Sequence, residues 1–110
     1  MMATIMTVEE VQKKAVPILK EYPVKKAILF GSYAQDMATK TSDIDLYIDS
    51  DGKLRGLDFV GLLESLVNAL GKDVDLIDRS HIAPNSLVFK EIENGGIVLY
   101  ENPGDSKKNN

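Results

Sequence analysis

The sequence predicts an α/β (α+β) domain, a small mixed sheet flanked by helices. Stretches with apolar residues at helical spacing alternate with short apolar runs, and this order favours layered helices and strands. A Thr-x-x-Glu capping box opens the first helical stretch at Thr7. The 44% hydrophobic content is enough for one ordinary core, and no cysteine is present to staple it.

The elements follow in order. Val8, Val11, Ala15, Ile18 and Leu19 recur at helical spacing as far as Tyr22-Pro23, with Pro17 expected to kink the helix. Lys26-Ala27-Ile28-Leu29-Phe30, ended by Gly31, reads as a buried strand. Ser32 to Ala38 suits a short helix, and Thr39 to Ser42 a polar loop. Asp43 to Ile48 alternates with period two and reads as a second strand, closed by an Asp51-Gly52 turn. Leu57 to Leu70 is a long periodic helix with Phe59, Val60, Leu63, Leu66, Val67 and Leu70 inward and Gly71 as its stop. Val74 to Ile77 is a third strand. Pro84-Asn85-Ser86 starts a helix through Glu93, and Ile97 to Tyr100 is the last strand. One domain over 1–101 is expected, followed by a disordered polar tail, 102–110.

Composition excludes several function classes. Without cysteine there is no disulfide, thiolate metal site or cysteine nucleophile. No apolar run has the length of a membrane span, and Met1 to Thr7 lacks a signal-peptide layout, so a cytoplasmic protein is expected. The net charge is −4, with lysines in scattered pairs rather than a basic stripe, which argues against strong nucleic-acid binding. An acidic chain can still hold nucleotide phosphates when a cation supplies the positive charge.

Chemistry concentrates in two places. On the second strand Asp43 and Asp45 share one face, roughly 6 to 7 Å apart, while Ile44, Leu46 and Ile48 take the other. Carboxylates so close destabilise each other unless neutralised, and hard divalent cations with oxygen ligands do that well. Asp73 and Asp75 repeat the arrangement on the third strand, and the period leaves either available as a third ligand. Gly31-Ser32 follows the first strand, where a glycine and a helix start would let a phosphate approach backbone amides. Each half alone has an ordinary reading, a solvated strand face or a simple turn. The lone His81 reads as a surface loop residue, Tyr33 and Tyr47 as packing residues, and Lys53 and Arg55 as solvated.

Gly31-Ser32, ten intervening residues and Asp43-x-Asp45 resemble the signature of the polymerase-beta-type nucleotidyltransferase superfamily. The likeness is nearest to its minimal members, the MNT domains found with HEPN proteins in toxin–antitoxin pairs. It runs through Leu29 to Ala34, Ser42 to Leu46, Val74 to Ile77 and Gly96 to Tyr100. The resemblance implies that Gly31 and Ser32 hold the triphosphate of an NTP, with ATP expected. It implies that Asp43 and Asp45 bind two Mg2+ ions, and that Asp75 completes the second site and takes the acceptor's proton. NMP transfer, with AMP expected, to a hydroxyl on a partner protein follows, as does an antitoxin role against a HEPN toxin. Two alternatives stand beside it: a non-catalytic antitoxin with a vestigial site, and the catalytic half of an antibiotic-type nucleotidyltransferase. Gln35 and Asp36 stand where many members carry Arg-Gly, and a carboxylate there is expected to repel phosphate.

Overall fold

The computed structural model describes residues 5–102. Of the expected tail, 102–110, all but Asn102 lies outside the described residues, and the exposed Asn102 amide donates to Lys25 O at 2.9 Å. The first helix, α1 (Val8–Leu19), starts on the expected box: Thr7 accepts from the Glu10 amide and the Glu10 carboxylate accepts from the Thr7 amide. It stops short of Tyr22. Pro17 lies inside it, with no amide to extend the ladder, and the chain then closes through i→i+3 bonds from Glu21 and Tyr22.

Strands β1 (Lys26–Phe30), β2 (Ile44–Asp49), β3 (Val74–Asp78) and β4 (Ile97–Glu101) form one mixed sheet in the order β3-β2-β1-β4. β1 is antiparallel to both β2 and β4, whereas β2 and β3 run parallel, joined by helix α2 (Leu57–Leu70). The period of two sorts the strands between two cores. Ala27, Leu29, Ile44, Leu46 and Ile48 face a large core shared with α1 and α2. Phe30 and Tyr47 face a smaller one with Ile92 of helix α3 (Leu87–Gly95).

Helix α2 departs from the expected face in one respect. Val60 is 47% exposed, and fully buried Leu62 takes the central place with Leu66 and Leu70. A stripe through Phe59, Leu62, Leu66 and Leu70 steps by three and four residues, which turns Val60 aside. Gly71 ends the helix as expected, in the left-handed conformation at φ +70°. Helix α3 starts three residues later than Pro84, because Ser86 is its cap and accepts from the Phe89 amide at 3.1 Å.

A short 3-10 turn (Arg79–His81) after β3 was not evident from periodicity. It grows from Asp78, which is 1% exposed and holds a buried network: Ser50 donates at 2.9 Å and the Ser80 hydroxyl at 2.6 Å. Burial by itself would raise the Asp78 carboxyl, but the Ser80 and Ser50 hydrogen bonds and His81 outweigh it and hold it below the usual carboxylate range. His81 is exposed, accepts the Asp78 amide on Nδ1 and meets Phe59 edge-on, so it braces this turn.

Candidate active site

The ends of three strands converge at one edge of the sheet because β1 runs antiparallel to β2, and β3 parallel to it. The C-terminal end of β1 therefore meets the N-terminal ends of β2 and β3. Phe30 pairs with Asp45, and Asp45 pairs with Asp75. Directly paired residues project to the same side, so the two carboxylates stand next to each other across the parallel pair. Neighbouring strands are about 4.8 Å apart. Asp43 is exposed and lies just before β2. Asp73 also precedes its strand, where its carbonyl accepts the Ile44 amide at 3.1 Å. The register thus sets Asp75, rather than Asp73, beside Asp45.

The electrostatics of this row are one-sided. Asp45 is half-buried, and its pKa is pushed up to about 6, first by burial and then by Asp75, Asp43 and Glu91. Glu91 lies on α3, and no spacing in the sequence linked it to Asp45. A carboxylate held among three others, and hard to ionise, is a group whose field favours a cation. Among the described residues no three Asp, Glu or His side chains already form a set that could hold a metal ion. The oxygen donors match a hard divalent ion in kind, and Asp45 and Asp75 offer it an adjacent pair.

Gly31 sits at φ +75° immediately after β1. A β-carbon there would strike the Asp45 carboxylate, with Asp45 Cγ only 3.0 Å away. The glycine is thus packed directly against the acidic row. The helix expected over Ser32 to Ala38 is absent. Gln35 donates to the carbonyls of Gly31 and Ser32, Ala34 to Gly31 and Met37 to Ser32, giving consecutive turns. No helix dipole therefore acts at Ser32, and anion binding here rests on local groups. The Ser32 hydroxyl and the Ser32 and Tyr33 amides are not used by those turn bonds.

Asp36 adopts φ +60°, a left-handed conformation that glycine takes freely and aspartate better than most residues. Position 36 thus makes a backbone demand, which Asp36 meets while remaining exposed. Tyr33 is 3% exposed, and no described group hydrogen-bonds its hydroxyl. Tyr33→Phe is therefore expected to gain about 1 kcal/mol of stability, read by urea unfolding. An unchanged or lowered midpoint would show that the hydroxyl has a partner in solution.

The loop that delivers Asp43 is braced by hydroxyls. The Thr39 amide donates to Ser42 Oγ at 2.8 Å, and Thr39 Oγ1 lies 3.3 Å from Thr41 Oγ1 and 3.2 Å from Ser42 Oγ.

The sequence model described as Polymerase beta, Nucleotidyltransferase matches residues 13–105. A Methanocaldococcus jannaschii protein named "Putative protein adenylyltransferase" is 41% identical over 99 residues, 89% of this chain and 100% of that protein. Protein adenylyltransferase MntA of Thermococcus cleftensis is 32% identical over 82 residues, 71% of this chain and 83% of that one. Among solved structures, a toxin–antitoxin complex with AMP-PNP superposes with a TM-score of 0.72 at 26% identity, over 87% of this chain and 77% of that chain.

Proposed function

We propose that this chain, which belongs to the polymerase beta nucleotidyltransferase family, transfers AMP from ATP to a hydroxyl of a partner protein. Family membership makes it a nucleotidyltransferase with a nucleotide substrate. The partner and the AMP follow from its relatives, which are named protein adenylyltransferases, among them the Methanocaldococcus jannaschii and Thermococcus cleftensis proteins above. The toxin–antitoxin neighbour with AMP-PNP supports an antitoxin role, and the resemblance of Gly31-Ser32 and Asp43-x-Asp45 to MNT domains implies a HEPN toxin as the partner that is modified. The observation that carries the reading is the side-by-side placement of Asp45 and Asp75, with Gly31 packed against Asp45.

Asp43, Asp45 and Asp75 would hold Mg2+, which when bound offsets phosphate charge and favours the alkoxide form of the acceptor. Gly31 keeps side-chain bulk away from the phosphates, and Ser32 donates to them. Asp75 takes the acceptor's proton as its oxygen bonds to the α-phosphorus. The bond from that phosphorus to the bridging oxygen breaks, and pyrophosphate leaves with the electron pair. Asp36 meets the left-handed backbone that a glycine would take at its position, while Gln35 leaves the charge of the usual arginine to be supplied by the metal.

The test uses the protein that co-purifies with the tagged chain from its source cells. Incubation with α-labelled ATP and magnesium is expected to place label on that partner, and Asp43→Ala to reduce the rate about 1,000-fold or more. A bound partner that stays unlabelled, yet is still inhibited by the Asp43→Ala chain, would replace catalysis with neutralisation by contact.

A further inference from the structure

Asp75 has no anchor of its own. Its side chain is exposed, and among the described residues its carboxylate makes no hydrogen bond and no ion pair. Its place beside Asp45 is therefore set by the backbone of β3. β3 is an edge strand that pairs only with β2, and within it only Leu76 and Asp78 are buried. Parallel pairing is slightly weaker per residue than antiparallel, so such a strand relies on its side chains to hold its register. Leu76 packs into the large core, and apolar packing has no direction. Asp78 supplies the direction. Its Oδ1 accepts the Ser50 hydroxyl at 2.9 Å, and both residues are 1% exposed. Ser50 follows the end of β2, and its Oγ in turn accepts the Leu54 amide at 3.3 Å. A buried bridge thus ties the end of β2 to the end of β3. Among the described residues no other hydrogen bond between two side chains crosses this strand pair.

We propose that Ser50 and Asp78 are positioning residues for the transfer: their bridge fixes where β3 holds Asp75, and so governs the acceptor half of the site rather than the nucleotide half. The inference rests on the transferase reading above. Gly31 and Ser32 follow β1 and Asp45 stands on β2, and the antiparallel pairing of those two strands does not involve β3. Asp75 rides on β3, ahead of Asp78 on the same short strand. Without the bridge the end of β3 shifts against β2. Asp75 then moves relative to the acceptor hydroxyl, while the groups assigned to the nucleotide stay where they are. Ser80 provides the comparison. Its hydroxyl donates to Asp78 Oδ2 at 2.6 Å from the turn after β3, so it steadies the same carboxylate without tying it to β2.

The test compares Ser50→Ala with Ser80→Ala in the full chain, using the co-purified partner, α-labelled ATP and magnesium at a temperature where both variants are folded. Ser50→Ala is expected to lower kcat about 10-fold or more with KM for ATP within about 2-fold of the parent, since a displacement of about 1 Å at a reacting group suffices for such a loss. Ser80→Ala should lose a similar amount of stability and keep kcat within about 2-fold. Hydrogen exchange of the free chain gives a readout that needs no substrate. The β3 amides should exchange about 10-fold faster in Ser50→Ala than in the parent or in Ser80→Ala, while the β1 amides keep their protection. Ser50→Cys keeps the bulk of the side chain but donates weakly, and it should show the same split if Ser50→Ala does not fold. Equal losses of kcat in Ser50→Ala and Ser80→Ala, a change in KM alone, or exchange that quickens evenly across the sheet would overturn the proposal. Absence of transfer by the parent chain tells against the transferase itself, whereas transfer without the split tells against the positioning role alone.

Discussion

Asp45→Asn is expected to remove nucleotidyl transfer, by about 1,000-fold or more, and at the same time to make the metal-free protein more stable at neutral pH. The two effects share one cause. Burial and the neighbouring Asp75, Asp43 and Glu91 push the Asp45 pKa up to about 6, against 3.8 for an ordinary aspartate. In the unfolded chain Asp45 loses its proton near pH 4, whereas in the folded chain it keeps it until about pH 6. Between those values the folded state binds more protons, so stability falls as pH rises. Below pH 4 the residue carries no penalty, and above about 6 the penalty is complete. Because Asp45 is only half-buried, solvent screening reduces the penalty to about 1–2 kcal/mol. The asparagine should therefore raise the melting temperature in EDTA by roughly 5–10 °C at pH 7.5 and hardly at all at pH 4. Magnesium should raise the melting temperature of the unmodified protein at pH 7.5 and leave that of Asp45→Asn nearly unchanged. A variant that is less stable than its parent at pH 7.5 would show that Asp45 has a cationic partner in the free protein.

What the sequence made legible has a common physical basis. Strand assignments held where short apolar runs alternated, because one-sided burial leaves a period-two trace in Ile44, Leu46 and Ile48. The α1 cap held because both members of the Thr7-Glu10 box lie within four residues. The adjacency of β2 and β3 emerges only in the fold, since register between distant strands is a long-range property. Glu91 was invisible for the same reason, because it reaches Asp45 from a different element. The Ser32 to Ala38 stretch failed as a helix because its amides bond back to Gly31 and Ser32. A single turn has no repeat for a periodic pattern to reveal. Val60 was misplaced by a similar margin, since a helix rich in leucine and valine offers more than one apolar stripe.

Gly31→Ala is expected to cost about 1–3 kcal/mol of stability and about 100-fold in transfer, although it adds only a methyl group. Two separate penalties act. The backbone at φ +75° disfavours any side chain, and the new β-carbon would occupy the place of the Asp45 carboxylate, 3.0 Å from Cγ and 3.3 Å from Cβ. Either Asp45 or the turn must move, and displacement of a reacting-centre group by about 1 Å is enough for the loss of rate. The two penalties separate in a double-mutant cycle. In an Asp45→Ala background the carboxylate is gone, so Gly31→Ala should retain only its backbone cost, about 1–2 kcal/mol. The single and double variants should therefore couple favourably in urea unfolding. Ser32→Ala, one residue on, removes a hydroxyl without touching Asp45 and should leave stability within about 0.5 kcal/mol of the parent. If the cost of Gly31→Ala is the same with and without the Asp45 carboxylate, the glycine serves the turn alone, and its packing against the acidic row has no bearing on the site.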